Sequence, residues 1–144
     1  MSISFVIHGD PVGKGSVRCE CTRKFPRMYM PPKTVAYEQK SVAATGRMIM
    51  AGRPPLDGAI WYRAKIYLPI PKSTTKAKRA AMISGEIRPT KKPDATNVLK
   101  AVEDGFTGIV WVDDANVVGG AFQKFFSEQP RVEITVGTIG ESNG

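Results

Sequence analysis

Alternation of apolar and polar positions gives the clearest elements. Ser2 to His8 alternates in β-branched and aromatic residues and predicts a strand. Ala59 to Leu68 alternates cleanly: Ile60, Tyr62, Ala64, Ile66 and Leu68 face one way, and Trp61, Arg63, Lys65 and Tyr67 the other. That is a strand with one buried face. Between them, Gly9 to Pro32 is a long Gly/Pro-rich loop, and Thr34 caps a helix running to about Met50, which Pro54-Pro55 stops. Ser73-Thr74-Thr75 can cap a short basic helix, Lys76 to Ser84, closed by Gly85. At about 100° per residue, Ala95, Val98, Leu99, Val102 and Phe106 gather on one side of a further helix, and Asn97, Lys100, Glu103 and Asp104 on the other. Asp94, after Pro93, opens that helix. Ile109 to Val112 predicts a short apolar strand, and Val117–Phe126 and Arg131–Ile139 a hairpin turned at Ser127–Pro130. The order β-α-β-α-α-β-β-β implies an α/β (α+β) fold: a single-layer mixed β-sheet with helices packed on one face. Residues 1–140 are expected to form one domain, with 141–144 a frayed tail.

Composition narrows the function classes. The 144 residues carry a net charge of +8, with a pI near 9.7, which points to a polyanionic partner such as nucleic acid. No stretch approaches the roughly 18 apolar residues of a membrane span, and the N-terminus lacks the layout of a signal peptide, so no membrane partner and a cytoplasmic location are expected. Cys19 and Cys21, one residue apart, are expected to be reduced thiols in a loop, with no second Cys or His pair for zinc. Gly13-Lys14-Gly15 does not fit a phosphate-binding Walker motif, so no nucleotide cofactor is expected. His8, the single histidine, reads as a strand residue.

The charge distribution then becomes informative. Of thirteen acidic residues, five (Asp94, Glu103, Asp104, Asp113 and Asp114) fall between positions 94 and 114 of an otherwise basic chain. Hard divalent cations such as Mg²⁺, with Mn²⁺ a possible substitute, take one or two carboxylates together with substrate phosphates. If the strand after the helix runs back along it, Asp94 and Asp114 share one ion, while Asp113 points at the metal or away from it. Lys100, a turn from Asn97 and another from Asp104, would be held by Asp104 and aimed at a phosphate. A stripe of this kind is otherwise just the solvated side of a surface helix. The basic loop (Lys14, Arg18, Arg23, Lys24, Arg27, Lys33) and the cations at Lys72, Lys76, Lys78, Arg79, Lys91 and Lys92 then make sense as contacts to a DNA backbone.

Several segments resemble the RusA family of Holliday junction resolvases. These are Gly9-Asp10-Pro11-Val12-Gly13-Lys14-Gly15, Tyr29-Met30-Pro31-Pro32-Lys33-Thr34 with Tyr37-Glu38, and Pro69-Ile70-Pro71-Lys72-Ser73. The most specific are Lys92-Pro93-Asp94-Ala95-Thr96-Asn97-Val98-Leu99-Lys100 with Asp104, and Gly108 through Asp114. The resemblance implies a homodimer that binds four-way DNA junctions and nicks opposing strands symmetrically with Mg²⁺. On the family pattern Asp-x-Asp-Asn-x-x-Lys, followed by Asp-Asp, it makes Asp94 and Asp114 catalytic carboxylates and Lys100 the catalytic lysine, with Asn97 and Asp104 as polar neighbours. Thr96 departs from the pattern, since it stands where the family has its second carboxylate. Two readings follow. One is an active junction endonuclease in which Asp104 or Asp113 compensates. The other is a junction- or duplex-binding protein whose cleavage is weak or lost.

Overall fold

A computed structural model describes residues 2–140; the tail expected to fray, 141–144, lies outside the described residues. Four strands form a mixed sheet in the order β1-β6-β4-β5: β1 (Ser2–His8), β4 (Ile60–Pro69), β5 (Val117–Ser127) and β6 (Arg131–Thr138). Two short strands, β2 (Arg18–Glu20) and β3 (Arg27–Tyr29), pair as a separate antiparallel ribbon. The helices are α1 (Pro32–Ala36), which continues through a π-helical segment (Tyr37–Ala43) into α2 (Ala44–Met50), then α3 (Lys76–Ser84) and α4 (Ala95–Phe106).

Burial follows the period of two. Ile3, Phe5 and Ile7 of β1, Ile60 to Leu68 at alternate positions of β4, and Val132, Ile134 and Val136 of β6 are all buried. They meet Tyr37, Val42 and Met50 from the first helical run and Val98, Leu99, Val102 and Phe106 from α4. Helices therefore cover one face of the sheet, and the expected fold class holds. Phe5, Phe106 and Trp111 form an aromatic cluster, with ring centroids 4.9 Å apart for Phe5–Phe106 and 5.6 Å for Phe106–Trp111. The Tyr62 hydroxyl donates to Glu103 Oε2 at 2.7 Å and ties α4 to β4. Gly105 lets α4 approach the π-helical segment, since a Cβ there would lie 2.6 Å from Val42 Cγ1 and 3.0 Å from the Glu38 carbonyl.

Several expectations are corrected. Strands β5 and β6 do not pair as a hairpin; β4 lies between them, parallel to β5 and antiparallel to β6. The most apolar inward face takes the centre, whereas β5, with Gly119, Gly120 and Ala121, has little to bury and becomes an exposed edge. Ile109–Val112 is not a sheet strand. It coils back at the end of α4, where the Ile109 and Val110 amides donate to the Phe106 carbonyl, and Leu56 exchanges backbone hydrogen bonds with Val110 and Val112. The first helix begins at Pro32 instead of being capped by Thr34, and Thr34, 2% exposed, accepts the Gly15 amide at 3.1 Å. Cys19 and Cys21 are joined in a disulfide, not left as thiols. Cys21 opens the turn that follows β2, and the bend there brings the two Cα atoms to 5.2 Å, inside the bonding range. No helix among the described residues is long and apolar enough to cross a membrane.

Candidate active site

Helix α4 organises the acidic residues. Asp94 immediately precedes it and is exposed. Asp104 stands ten residues further on, about 15 Å along the axis at 1.5 Å per residue. The loop before β2 runs along this helix. The Lys14 amide donates to the Asn97 carbonyl at 2.9 Å. Gly13 is needed for that approach, because a Cβ there would lie 3.2 Å from Pro93 Cβ and 3.3 Å from Asn97 Cβ.

From that anchor the Lys14 side chain reaches Asp104 Oδ2 in a hydrogen-bonded ion pair, with Glu38 Oε1 3.9 Å away. The hydrogen bond to Asp104 is the main reason the Lys14 pKa is raised; partial burial opposes it, and the charges of Asp104, Glu38 and Asp114 reinforce it. Desolvation raises the Glu38 pKa, with Lys14 opposing and Asp104 adding to the shift. Glu38 Oε1 is buried with no hydrogen-bond partner. In the sequence Glu38 sits within the Tyr37-Glu38 motif with no signal of a role; its closeness to Lys14 and Asp104 depends on how the π-helical segment packs against α4.

Asp113 and Asp114 follow the turn at the end of α4. Asp113 caps the 3₁₀ turn Asp114–Asn116, accepting the Ala115 amide at 3.2 Å. That bond and one from the Asp114 side chain lower its pKa. The Asp114 carboxyl is raised, first by its hydrogen bond with Asp113 and then by slight desolvation and the charges of Asp113 and Asp104. The expected return of Ile109–Val112 along the helix does not occur, so within one chain Asp94 and Asp114 lie toward opposite ends of α4. Among the described residues, no three acidic, His or Cys side chains converge as a metal cage.

Two grooves flank α4. Asp94 and Asn97 line a cleft of about 550 Å³ with Lys14, Arg18, Lys33 and Lys92. Thr96, Lys100 and Glu103 line a second groove of about 540 Å³, between α4 and the edge strand β5, and Asn97 borders both. Lys100 is therefore not held by Asp104, whose partner is Lys14; among the described residues Lys100 makes no ion pair.

The remaining predicted cations differ in freedom. Lys24, Lys72, Lys76, Lys78, Lys91 and Lys92 are exposed. Arg23 and Arg27 both bind Glu20, at 2.9 and 3.3 Å, and Arg79 binds Glu128 at 3.1 Å. Arg88, not singled out in the sequence, stacks on Phe125 with its guanidinium 4.0 Å from the ring centroid.

The chain was compared with known proteins. The family model for the endodeoxyribonuclease RusA matches residues 8–137. An uncharacterized protein of Bacillus subtilis (strain 168), YqaN, is 33% identical over 138 residues, covering 93% of this chain and 94% of its own. A match across nearly the whole chain, spanning both the cationic cleft and the Asp113-Asp114 turn, means that the chain belongs to the RusA family of endodeoxyribonucleases.

Proposed function

We propose that the chain is a divalent-metal-dependent, structure-selective DNA endonuclease that resolves four-way junctions as a homodimer, nicking opposing strands. The observation that carries this reading is the cleft in which Asp94 and Asn97 are ringed by Lys14, Arg18, Lys33 and Lys92. A lone carboxylate among cations is suited to a metal ion whose other ligands come from a bound phosphate and water. The donor set is chemically suited to a hard cation, since every candidate ligand is a carboxylate oxygen. Asp94 in the cleft would hold Mg²⁺, or Mn²⁺ in its place, while Asp114 with Asp113, at the other end of α4, is too far away to share that ion within one protomer. Bound there, the ion would supply Lewis-acid charge relief and a more acidic water.

In the hydrolysis, a water oxygen bonds to phosphorus as one P–O ester bond breaks. In this reading the water proton passes to the exposed Asp94 carboxylate, and the departing alkoxide takes up a proton from solvent. Arg18, Lys33 and Lys92 hold the backbone, and Lys100, exposed on the next groove, neutralises charge on the strand crossing α4. Lys14 and Asp104 act together: paired with each other, they set the loop against the helix. A homodimer provides one such site per cut, related by the two-fold symmetry that paired nicks require.

The second reading, a junction binder with weak cleavage, draws on Thr96 and on the engagement of Asp104 by Lys14, which leaves Asp104 less free to replace the motif carboxylate. One experiment separates the two: incubation of a labelled four-way junction and a linear duplex with Mg²⁺ or chelator, using wild type, Asp94→Asn and Thr96→Asp. Paired Mg²⁺-dependent nicks confined to the junction and lost in Asp94→Asn are expected. Wild-type binding without nicks, with cleavage gained in Thr96→Asp, would establish the second reading instead.

A further inference from the structure

The ribbon β2–β3 starts at the cleft and ends in an apolar tip. Arg18, its first residue, lines the Asp94 cleft. Its turn carries Phe25, 76% exposed, with Met28 64% exposed on the returning strand. Full burial of a Phe side chain would take a large apolar surface out of water, and that gain is forgone here. Scattered exposed apolar residues are ordinary, but this ring stands at the end of a braced projection. Glu20 binds Arg23 through one carboxylate oxygen and Arg27 through the other, at 2.9 and 3.3 Å, clamping both sides of the turn. The Arg23 amide donates to the Glu20 carbonyl at 3.4 Å. The base of the ribbon is fixed to the body by Gly15 on Thr34 and Lys14 on Asn97. Cations stand near the tip: the Lys24 ammonium is 5.8 Å from the Phe25 centroid, and the Arg27 guanidinium is 5.4 Å from the Tyr29 ring.

An apolar ring on a cationic ribbon matches a partner that is a polyanion with exposed flat apolar faces. Linear duplex DNA presents the charge but hides its base faces in the stack. Branched DNA presents both, because stacking is interrupted at the branch. Aromatic stacking on an exposed base is favourable whichever base it meets, and apolar side chains inserted at a step unstack it. From strand rise, the tip lies on the order of 15 Å from Arg18, about four base pairs beyond the cleft. We propose that Phe25 is a specificity-determining wedge that stacks on a base at the branch point of junction DNA while the cleft holds the backbone. This rests on the junction-endonuclease reading and names the feature of the substrate that the ribbon recognises.

The test uses the full chain and a synthetic four-way junction with 2-aminopurine beside the crossover, in chelator so that no cutting intervenes. Wild type should raise the fluorescence as the base leaves its stack. Phe25→Ala, an exposed substitution, should abolish that rise and weaken junction binding about tenfold while leaving linear-duplex binding unchanged; Phe25→Trp should retain both effects. No fluorescence rise with wild type, or a rise and a junction preference that survive in Phe25→Ala, would overturn the wedge. Cleavage in Mg²⁺ is read separately. If wild type unstacks the base through Phe25 but never cuts, the wedge stands and the nuclease reading falls. If both proteins cut the junction with equal preference over duplex, the wedge alone falls.

Discussion

Lys14 shows how far a single residue's meaning depends on its neighbours. In the sequence it is one of several loop cations and reads as a DNA contact. In the fold its amide is fixed to Asn97 and its ammonium lies between Asp104 and Glu38. Its primary work is to hold the loop on α4, although it still borders the cleft. The partner with the least satisfied environment is Glu38, whose folded pKa is raised above 4.5 chiefly by desolvation. An acid raised in this way contributes stability that is fully present below its unfolded pKa and is lost as pH rises through the folded value. Wild type should therefore gain stability relative to Glu38→Gln as pH falls from neutrality toward 4.5. Urea midpoints of the two proteins across that range measure this, and a difference independent of pH would refute it.

At the level of elements, the junction of α4 with the π-helical segment decides the geometry. π-Helical turns often occur at functional sites, and this one carries Tyr37, Glu38 and Val42 against α4. Gly105 is the point of closest approach. Gly105→Ala would ordinarily favour a helix, by up to about 1 kcal/mol, but here the added methyl overlaps Val42 Cγ1 at 2.6 Å and the Glu38 carbonyl at 3.0 Å. Overpacking of this kind costs about 1–3 kcal/mol, so the net effect should be destabilising, read as a lower denaturation midpoint. Because the same shift displaces Glu38 and Asp104, cleavage of a junction should fall even at temperatures where Gly105→Ala remains folded. Retained stability would show that the helices separate without strain.

For the whole molecule, the decisive property is a +8 chain whose carboxylates are concentrated around one helix. Backbone contacts to DNA release counterions, so log K falls with log salt by about 0.9 for each phosphate neutralised on duplex DNA. Lys33 and Lys92 line the Asp94 cleft, and both are exposed. The double variant Lys33→Met/Lys92→Met should reduce the salt slope of duplex binding by about 2. Lys14→Met should change it less, since that ammonium is already neutralised by Asp104. Binding titrations between low and physiological salt measure both slopes, and a loss of about 0.9 from Lys14→Met alone would show that Lys14 leaves Asp104 to reach DNA.

Local periodicity determined a good deal of this protein. The alternation of β1, β4 and β6 and the apolar side of α4 were legible because burial of one face imposes a repeat of two or 3.6 residues on neighbouring positions. The cationic surface and the Asp94–Lys100 motif were legible because residue type and close spacing carry them. What sequence could not supply was pairing between distant segments. Parallel β4–β5 pairing leaves the same period as a hairpin, so β4's central place was hidden. The coil at Ile109–Val112 is set by Leu56, more than fifty residues earlier, and it is what sends Asp114 toward Asp104 and away from Asp94. Capture of Asp104 by Lys14, in place of Lys100, likewise joins residues ninety apart. Local chemistry chose the charged groups, and tertiary packing chose their partners, because ion-pair geometry depends on where the loop and the π-helical segment meet α4.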